Sequence, residues 1–489
     1  MNTLRKSLAL SLALLLEGCL VGPNYHRPPV PTPSQYKELE GWTVAAPAAD
    51  QPKGDWWTAF NDPLLDELEP TVSVSNQTVR QDYANYQEAL AEVQVARSAL
   101  FPTIGISGGV TRQRNASGLS NGPGGVSAPG TRGVVNSGSL EGTASWAPDL
   151  WGAVRRNIEA SKATAQASAA TLANATLSEQ TALASAVIEL RVTDVNIDLL
   201  QQTVTAFKES LRVVSNQGTA GTTPPSDVIT ARTQLESTQS SLIALGVARA
   251  QFAHAIAVLA GKNPEDLDIA HGTQVPMLPS TPVGVPSTLL QRRPDIAVAE
   301  RQMAAANAAI GVAEAAYYPT LTLSAADGFS QSPLAGLLHA ANNIWSLGAD
   351  ATENLFQGGL TRAQVAAAKA TYDASVANYR ATVLKALQNV EDDLAGLRIL
   401  AEQSEVLDSA VRDAARGSEI ALNEYRAGTV DYTTAATAQA TQLSLEETAL
   451  GVKQQRLLDA VSLIGDLGGG WSADQIQNPG KSAKSAAVP

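Results

Sequence analysis

The sequence predicts a mostly α-helical protein with membrane β-strands, built from one unit used twice. Three observations predict it. Residues 154–218 and 361–427 run without proline at coiled-coil spacing. Short alternating segments begin near residues 103 and 320. Landmarks in the two halves recur at one offset of about 207 residues: Arg155 with Arg362, Gly221 with Gly428, and Ala231 with Ala438.

The elements follow in order. Residues 1–18 read as a lipoprotein signal peptide: Arg5 and Lys6 precede an apolar run of about ten residues, too short to span a bilayer as a helix. Leu16-Glu17-Gly18-Cys19 then resembles a bacterial lipobox, although Glu17 stands where small residues are usual. The resemblance implies cleavage before Cys19 and acylation of its thiol; the alternative is an ordinary secretory signal with an incidental cysteine. Residues 19–75 form an acylated tether with a proline-rich lead (26–33) and an equatorial segment.

The first structural repeat is 76–262: a helix over 76–99, a β-hairpin in 100–150 and a helical hairpin over 153–260. A proline-rich linker covers 263–288. The second repeat is 289–466, with its β-hairpin at 319–356 and its helical hairpin at 360–466; residues 467–489 form a C-terminal tail.

In the strands, Ile104, Ile106 and Val110 alternate with Gly105, Ser107 and Thr111, and Leu321 and Leu323 alternate with Thr322 and Ser324. Period two puts an apolar set on one face and a small polar set on the other, as in a barrel with lipid outside and water inside. Phe101, Trp146, Trp151, Tyr317, Tyr318, Trp345 and Phe356 flank the strands, either as interfacial girdles or as plain packing. Residues 117–133, rich in Gly, Ser and Pro, read as an extracellular loop. In the helices, Ile197, Leu200, Val204, Phe207, Leu211 and Val214 step by three and four, as do Tyr379, Val383, Leu387, Val390, Leu394 and Leu397. Some 65 residues of helix span on the order of 100 Å and need coiled-coil partners. Beyond the leader, no segment is expected to reach transmembrane-helix length.

Composition narrows the function. A net charge of −13 argues against a nucleic-acid partner. The histidines (His26, His254, His271, His339) lack metal-ligand partners at helical spacing, and Cys19 is the one cysteine. Asp392-Asp393 and Glu446-Glu447 are adjacent on helices, so they point apart and read as solvated faces. No enzyme is expected, and no cofactor beyond a covalent lipid on Cys19.

Four strands do not close a membrane barrel, because the smallest have eight, and open edges are not tolerated in lipid. A dimer's eight-stranded barrel is filled by its own side chains. Three copies supply twelve strands with a lumen, and twelve helices below it.

The segments Cys19-Leu20-Val21-Gly22-Pro23-Asn24-Tyr25, Trp146-Ala147-Pro148-Asp149-Leu150-Trp151-Gly152, Gln291-Arg292-Arg293-Pro294-Asp295-Ile296 and Phe356-Gln357-Gly358-Gly359, with Trp56-Trp57, resemble the TolC-like outer membrane factors in their lipoprotein branch, and residues 201–261 the NodT-type subgroup. The resemblance implies a homotrimer in the outer membrane, with a 12-stranded β-barrel and a 12-helix periplasmic α-barrel. It implies a periplasmic adaptor and an inner-membrane transporter as partners, and a passive conduit for effluxed small molecules. A type I protein-secretion channel and a non-channel coiled-coil scaffold are the alternatives. The family closes its tunnel at the helical hairpin tips. Here the tips carry Asp227 and Asp431, as pore-lining carboxylates or as helix caps, with Tyr425, Arg426 and Tyr432 as candidates to hold them closed.

Overall fold

A computed structural model describes residues 20–38, 55–114, 134–279, 292–332 and 334–473. The leader, Cys19, the whole 117–133 loop, the end of the linker and the end of the tail lie outside the described residues. The chain divides into two compact units: Met1–Arg27, Glu88–Ala165 and Gln302–Val376 form one, and Pro28–Gln87, Gln166–Arg301 and Ala377–Pro489 the other.

The elements are α1 (Pro63–Ser75), α2 (Gln77–Ser98), β1 (Thr103–Arg114), β2 (Val134–Trp146), α3 (Ala153–Thr219), α4 (Pro225–Leu259), α5 (Pro294–Ala315), β3 (Thr320–Gln331), β4 (Asn343–Thr352), α6 (Leu360–Arg426) and α7 (Tyr432–Asp466). Local chemistry sets their ends. Asp62 caps α1 by accepting from the Leu64 and Leu65 amides, with Pro63 in the first turn, where its missing N–H costs nothing. Asn76 starts α2 the same way, accepting from Thr78 N at 2.8 Å while its amide donates to Glu179 Oε2 and Leu259 O. The Ala260-Gly261 stop holds: Gly261 adopts φ +73, and a Cβ there would overlap Ser75 O.

The first unit contains an antiparallel sheet in the order β1-β2-β3-β4. Its register places Ile104 opposite Ala144, Ile106 opposite Gly142 and Val110 opposite Gly138. Trp146 stands opposite Leu323, Ala325 opposite Leu347, and Asp327 opposite Trp345. Because side chains alternate across a strand, one face collects Ile104, Ile106, Val110, Leu140, Leu323, Phe329, Trp345 and Leu347.

In the second unit, the predicted seam of α3 is buried at Ile197, Leu200, Val204, Phe207 and Val214. In α6, Tyr379, Val383, Val390, Leu394 and Leu397 are buried as their spacing requires. Trp56, Trp57, Phe60, Leu65, Leu68 and Val72 add buried residues from the start of this unit. The linker is fastened at His271 and Gly272: Asp194 on α3 accepts from Arg249 Nε at 2.6 Å and from Gly272 N at 2.7 Å, and His271 Nε2 meets Asp198 at 2.9 Å.

Two expectations are corrected. Helix α4 does reach transmembrane length and apolarity, with a window of mean hydropathy 1.7 that is only 11% buried. Between Leu242 and Leu259 only Arg249, Gln251 and His254 are polar, and the rest is alanine, one glycine and larger apolar side chains. Asp393 is not part of a solvated face. It is half-buried, and burial, reinforced by Asp466, pushes its carboxyl up to about 8. Adjacent residues diverge by about 100° on a helix, so Asp392 stays exposed while Asp393 turns inward.

Candidate functional site

Two places concentrate functional chemistry: the sheet of the first unit and the hairpin tips of the second.

On the sheet, the two faces differ in composition. Most of the apolar side chains named above are solvent-exposed in the single chain, Ile106 by 83% and Trp345 by 71%, while Leu323 and Phe329 are half-buried. The other face carries Thr103, Ser107, Thr111, Ser139, Glu141, Thr143, Ser324, Ser346 and Asp350, mostly small or hydrophilic, with Ile344 as an apolar exception. Among the described residues the outer edges of β1 and β4 have no strand partner. An exposed apolar face together with two open edges is not a stable end state in water; it needs a lipid environment and further strands.

The aromatic flanks divide. Phe101, Trp146, Tyr317, Tyr318 and Phe356 cluster where strands meet helices, whereas Trp345 stands toward the other end. Trp146 donates to Leu100 O at 3.0 Å. Trp151 leaves the girdle set: it stacks on Tyr318 at 4.8 Å and donates to Pro319 O at 2.7 Å, which makes it a packing residue.

Beside these rings the residues following Cys19 are seated by a buried guanidinium that the sequence reading missed. Arg156 donates to Val21 O at 3.0 Å, Gly22 O at 2.9 Å and Asn24 Oδ1 at 3.0 Å, and Asn307 donates to Pro23 O. Gly22 has φ +91, and a Cβ on it would lie 2.3 Å from Gly311 Cα. Only glycine fits that approach and that backbone.

At the tips, Gly221 (φ +75) and Gly428 (φ +73) end α3 and α6, and Thr222 and Thr429 close the turns on Gln217 O and Glu424 O. The two hairpins meet in a cluster of Val214, Ala231, Tyr432 and Ala436, with Tyr425 and Val228 packed on it. Tyr425 and Tyr432 make an edge-to-face pair at 5.3 Å. The Tyr425 hydroxyl donates across to Gln217 Oε1, and Gln234 Nε2 donates to Ala436 O. Burial, with the Tyr425 ring beside it, raises the Tyr432 phenol to about 12, so it stays neutral.

The predicted tip residues have different situations. Asp431 caps α7, accepting from Thr434 N at 3.1 Å and Thr434 Oγ1 at 2.8 Å; it is exposed, and these bonds hold its carboxyl below the usual value. Asp227 is not a cap. Pro224 occupies that position, and Asp227, only 6% exposed, accepts from Thr223 Oγ1 at 2.9 Å. The two prolines shift the helix start three residues upstream of where Asp227 alone would put it. Arg426 is exposed and bonds Asn423 on its own helix. Gln217 and Thr223 were missed, since a lone glutamine or threonine near a turn carries no distinguishing pattern.

The profile of the family described as "Outer membrane efflux protein" matches residues 71–262 and 285–469. The chain is 29% identical over 471 residues to the probable efflux pump outer membrane protein SepC of Pseudomonas putida, covering 95% of this chain and 96% of that protein. It is 30% identical over 456 residues to Nodulation protein T of Rhizobium leguminosarum bv. trifolii, covering 92% of each. Among solved structures, the outer-membrane channel OprN superposes with a TM-score of 0.85 at 28% identity, over 93% of this chain and all of that one. The Campylobacter jejuni CmeC outer membrane channel gives 0.87 at 22% identity over 96% of this chain, a likeness of fold. The two-faced sheet, the paired long helices and this coverage converge: the chain belongs to the outer membrane efflux protein family.

Proposed function

We propose that the chain is the outer-membrane channel of a tripartite efflux system, a passive conduit assembled from three copies. The observation that carries this is the four-stranded sheet with one apolar face, one hydroxyl-rich face and two open edges. Three such sheets, joined β4 to β1, give a twelve-stranded barrel with Ile104, Ile106 and Leu347 toward lipid and Ser107, Thr143 and Ser324 toward water. The structural repeats 76–262 and 289–466 each supply one β-hairpin and one helical hairpin, so the trimer also gathers twelve helices into a periplasmic tube. The exposed apolar stripe of α4 (Ile243, Val247, Val258) is the surface a neighbouring copy covers.

The seat at Arg156 supports acylation of Cys19, because it fixes the chain immediately after that thiol beside Trp151 and Tyr318. A periplasmic adaptor engages the hairpin tips, the seam at Tyr425, Tyr432 and Gln217 opens, and cargo driven by an inner-membrane transporter diffuses out. A wide lumen lined by serine, threonine and glycine holds no small molecule tightly, so cargo selection lies in the transporter.

The test is single-channel recording of the purified protein in a planar bilayer. A discrete, reproducible conductance step is expected; a protein that leaves the bilayer silent contradicts the channel reading. Asp431→Asn separates the two roles of that carboxylate, since asparagine keeps the cap and loses the charge. A pore-lining Asp431 predicts reduced cation preference in this variant, and unchanged selectivity makes it a cap alone.

A further inference from the structure

We propose that the outer rim of the strand sheet is a docking surface for a phosphorylated glycolipid of the outer leaflet, gripped by Leu334 and Leu338 on its acyl chains and by Arg112 and Arg114 on its phosphates. The proposal rests on the reading above, that the Ile106 face of the sheet meets lipid.

The loop between β3 and β4 is folded onto that face. Gly138 stands opposite Val110, on the apolar side, and the space its missing Cβ would take is filled by Leu334 Cδ1 at 2.3 Å and Leu337 Cδ2 at 3.3 Å. The leucines therefore cover the outside of the sheet and not the mouth of a lumen. Their outward surface is uncovered: Leu338 is 64% exposed and Leu334 39%. A loop that met only water would gain nothing from presenting these side chains; one that rests in acyl chains buries them.

Arg112 and Arg114 continue the same face beyond Val110 by the two-residue period. Neither guanidinium makes an ion pair or hydrogen bond with another of the described residues. Their height fits a headgroup. Nine residues separate Thr103, beside the aromatic cluster, from Arg112. At about 3.3 Å per residue and a tilt of about 40°, that climbs about 23 Å, close to the roughly 25 Å apolar band of such barrels. The guanidinium groups thus leave the band at the level of the outer phosphates. Among the described residues the one acid on this face, Asp327, lies seven residues along β3 from Thr320, short of the nine that separate Arg112 from Thr103, and accepts from Asn343 Nδ2 at 3.1 Å. In a chain of net charge −13, paired arginines just above an apolar band with leucines beside them match a lipid whose phosphates sit next to its acyl chains.

The experiment titrates the purified full-length protein in detergent with a bisphosphorylated acylated disaccharide, and with its dephosphorylated form carrying the same acyl chains. Lipid retention is read by native mass spectrometry. Wild type should bind the phosphorylated form ten- to thirty-fold more tightly, about what two interfacial arginines supply. Arg112→Gln combined with Arg114→Gln should erase that difference, and Leu338→Ser should weaken both forms alike. Equal retention of both forms by wild type overturns the proposal without any variant. Single-channel conductance of the same preparations keeps the two ideas apart. Conductance with phosphate-blind retention removes only the docking surface, whereas loss of conductance in wild type removes the channel reading on which it stands.

Discussion

Glu69 shows how much a single side chain can set. It is 0% exposed, neither carboxylate oxygen has a hydrogen-bond partner among the described residues, and burial pushes it up to about 9. A carboxyl raised in the folded state contributes stability that is fully present below its ordinary value near 4.5 and is lost as pH rises toward 9. Holding it protonated at pH 7 costs up to about 3 kcal/mol. Glu69→Gln should therefore raise the thermal midpoint at pH 7–8 and flatten its fall with pH, as followed by circular dichroism. An unchanged pH slope would mean that the carboxyl finds a partner in solution. The sequence did not disclose this residue: Leu68-Glu69-Pro70 reads like an ordinary exposed helix position. The same holds for Arg156 and Asp393, whose burial depends on contacts with segments more than seventy residues away. Asp431 was legible as an N-cap because its preference is local, whereas the two prolines beside Asp227 displaced the cap that its residue type suggests.

Elements were legible where periodicity is long. The α3 and α6 seams and the alternation of β1 and β3 follow from spacing alone, since a helix or strand that buries one side must repeat at its own period. The apolarity of α4 was underestimated because Arg249, Gln251 and His254 interrupt the apolar run. What spacing does not encode is how two hairpins clasp. The Tyr425 to Gln217 bond ties α6 to α3, and Tyr425→Phe leaves the glutamine acceptor without that donor. The change should cost the closed seam about 1 kcal/mol and raise channel open probability roughly fivefold. Identical gating in the variant would show that the aromatic pair alone holds the tips. At the other functional place, Gly22→Ala forces a side chain into Gly311 and into left-handed backbone, at least about 1 kcal/mol from the backbone alone. The expected outcome is a lower thermal midpoint and faster proteolysis of the N-terminal segment; wild-type protease resistance would mean that the seat is dispensable.

At the level of the whole molecule, the sheet of one chain is left unclosed. The sheet presents lipid-compatible side chains over one face, hydroxyls over the other, and unpaired edges at β1 and β4. The four strands among the described residues fall short of a closed membrane barrel, whose smallest members have eight. Unpaired edges and apolar area both favour association, and the proposed copy number of three rests on the need for a lumen. The most direct measurement is the mass of the detergent-solubilised complex by native mass spectrometry. Three chains per particle are predicted, persisting at low micromolar concentration. A particle holding a single chain, stable under the same conditions, would contradict the account.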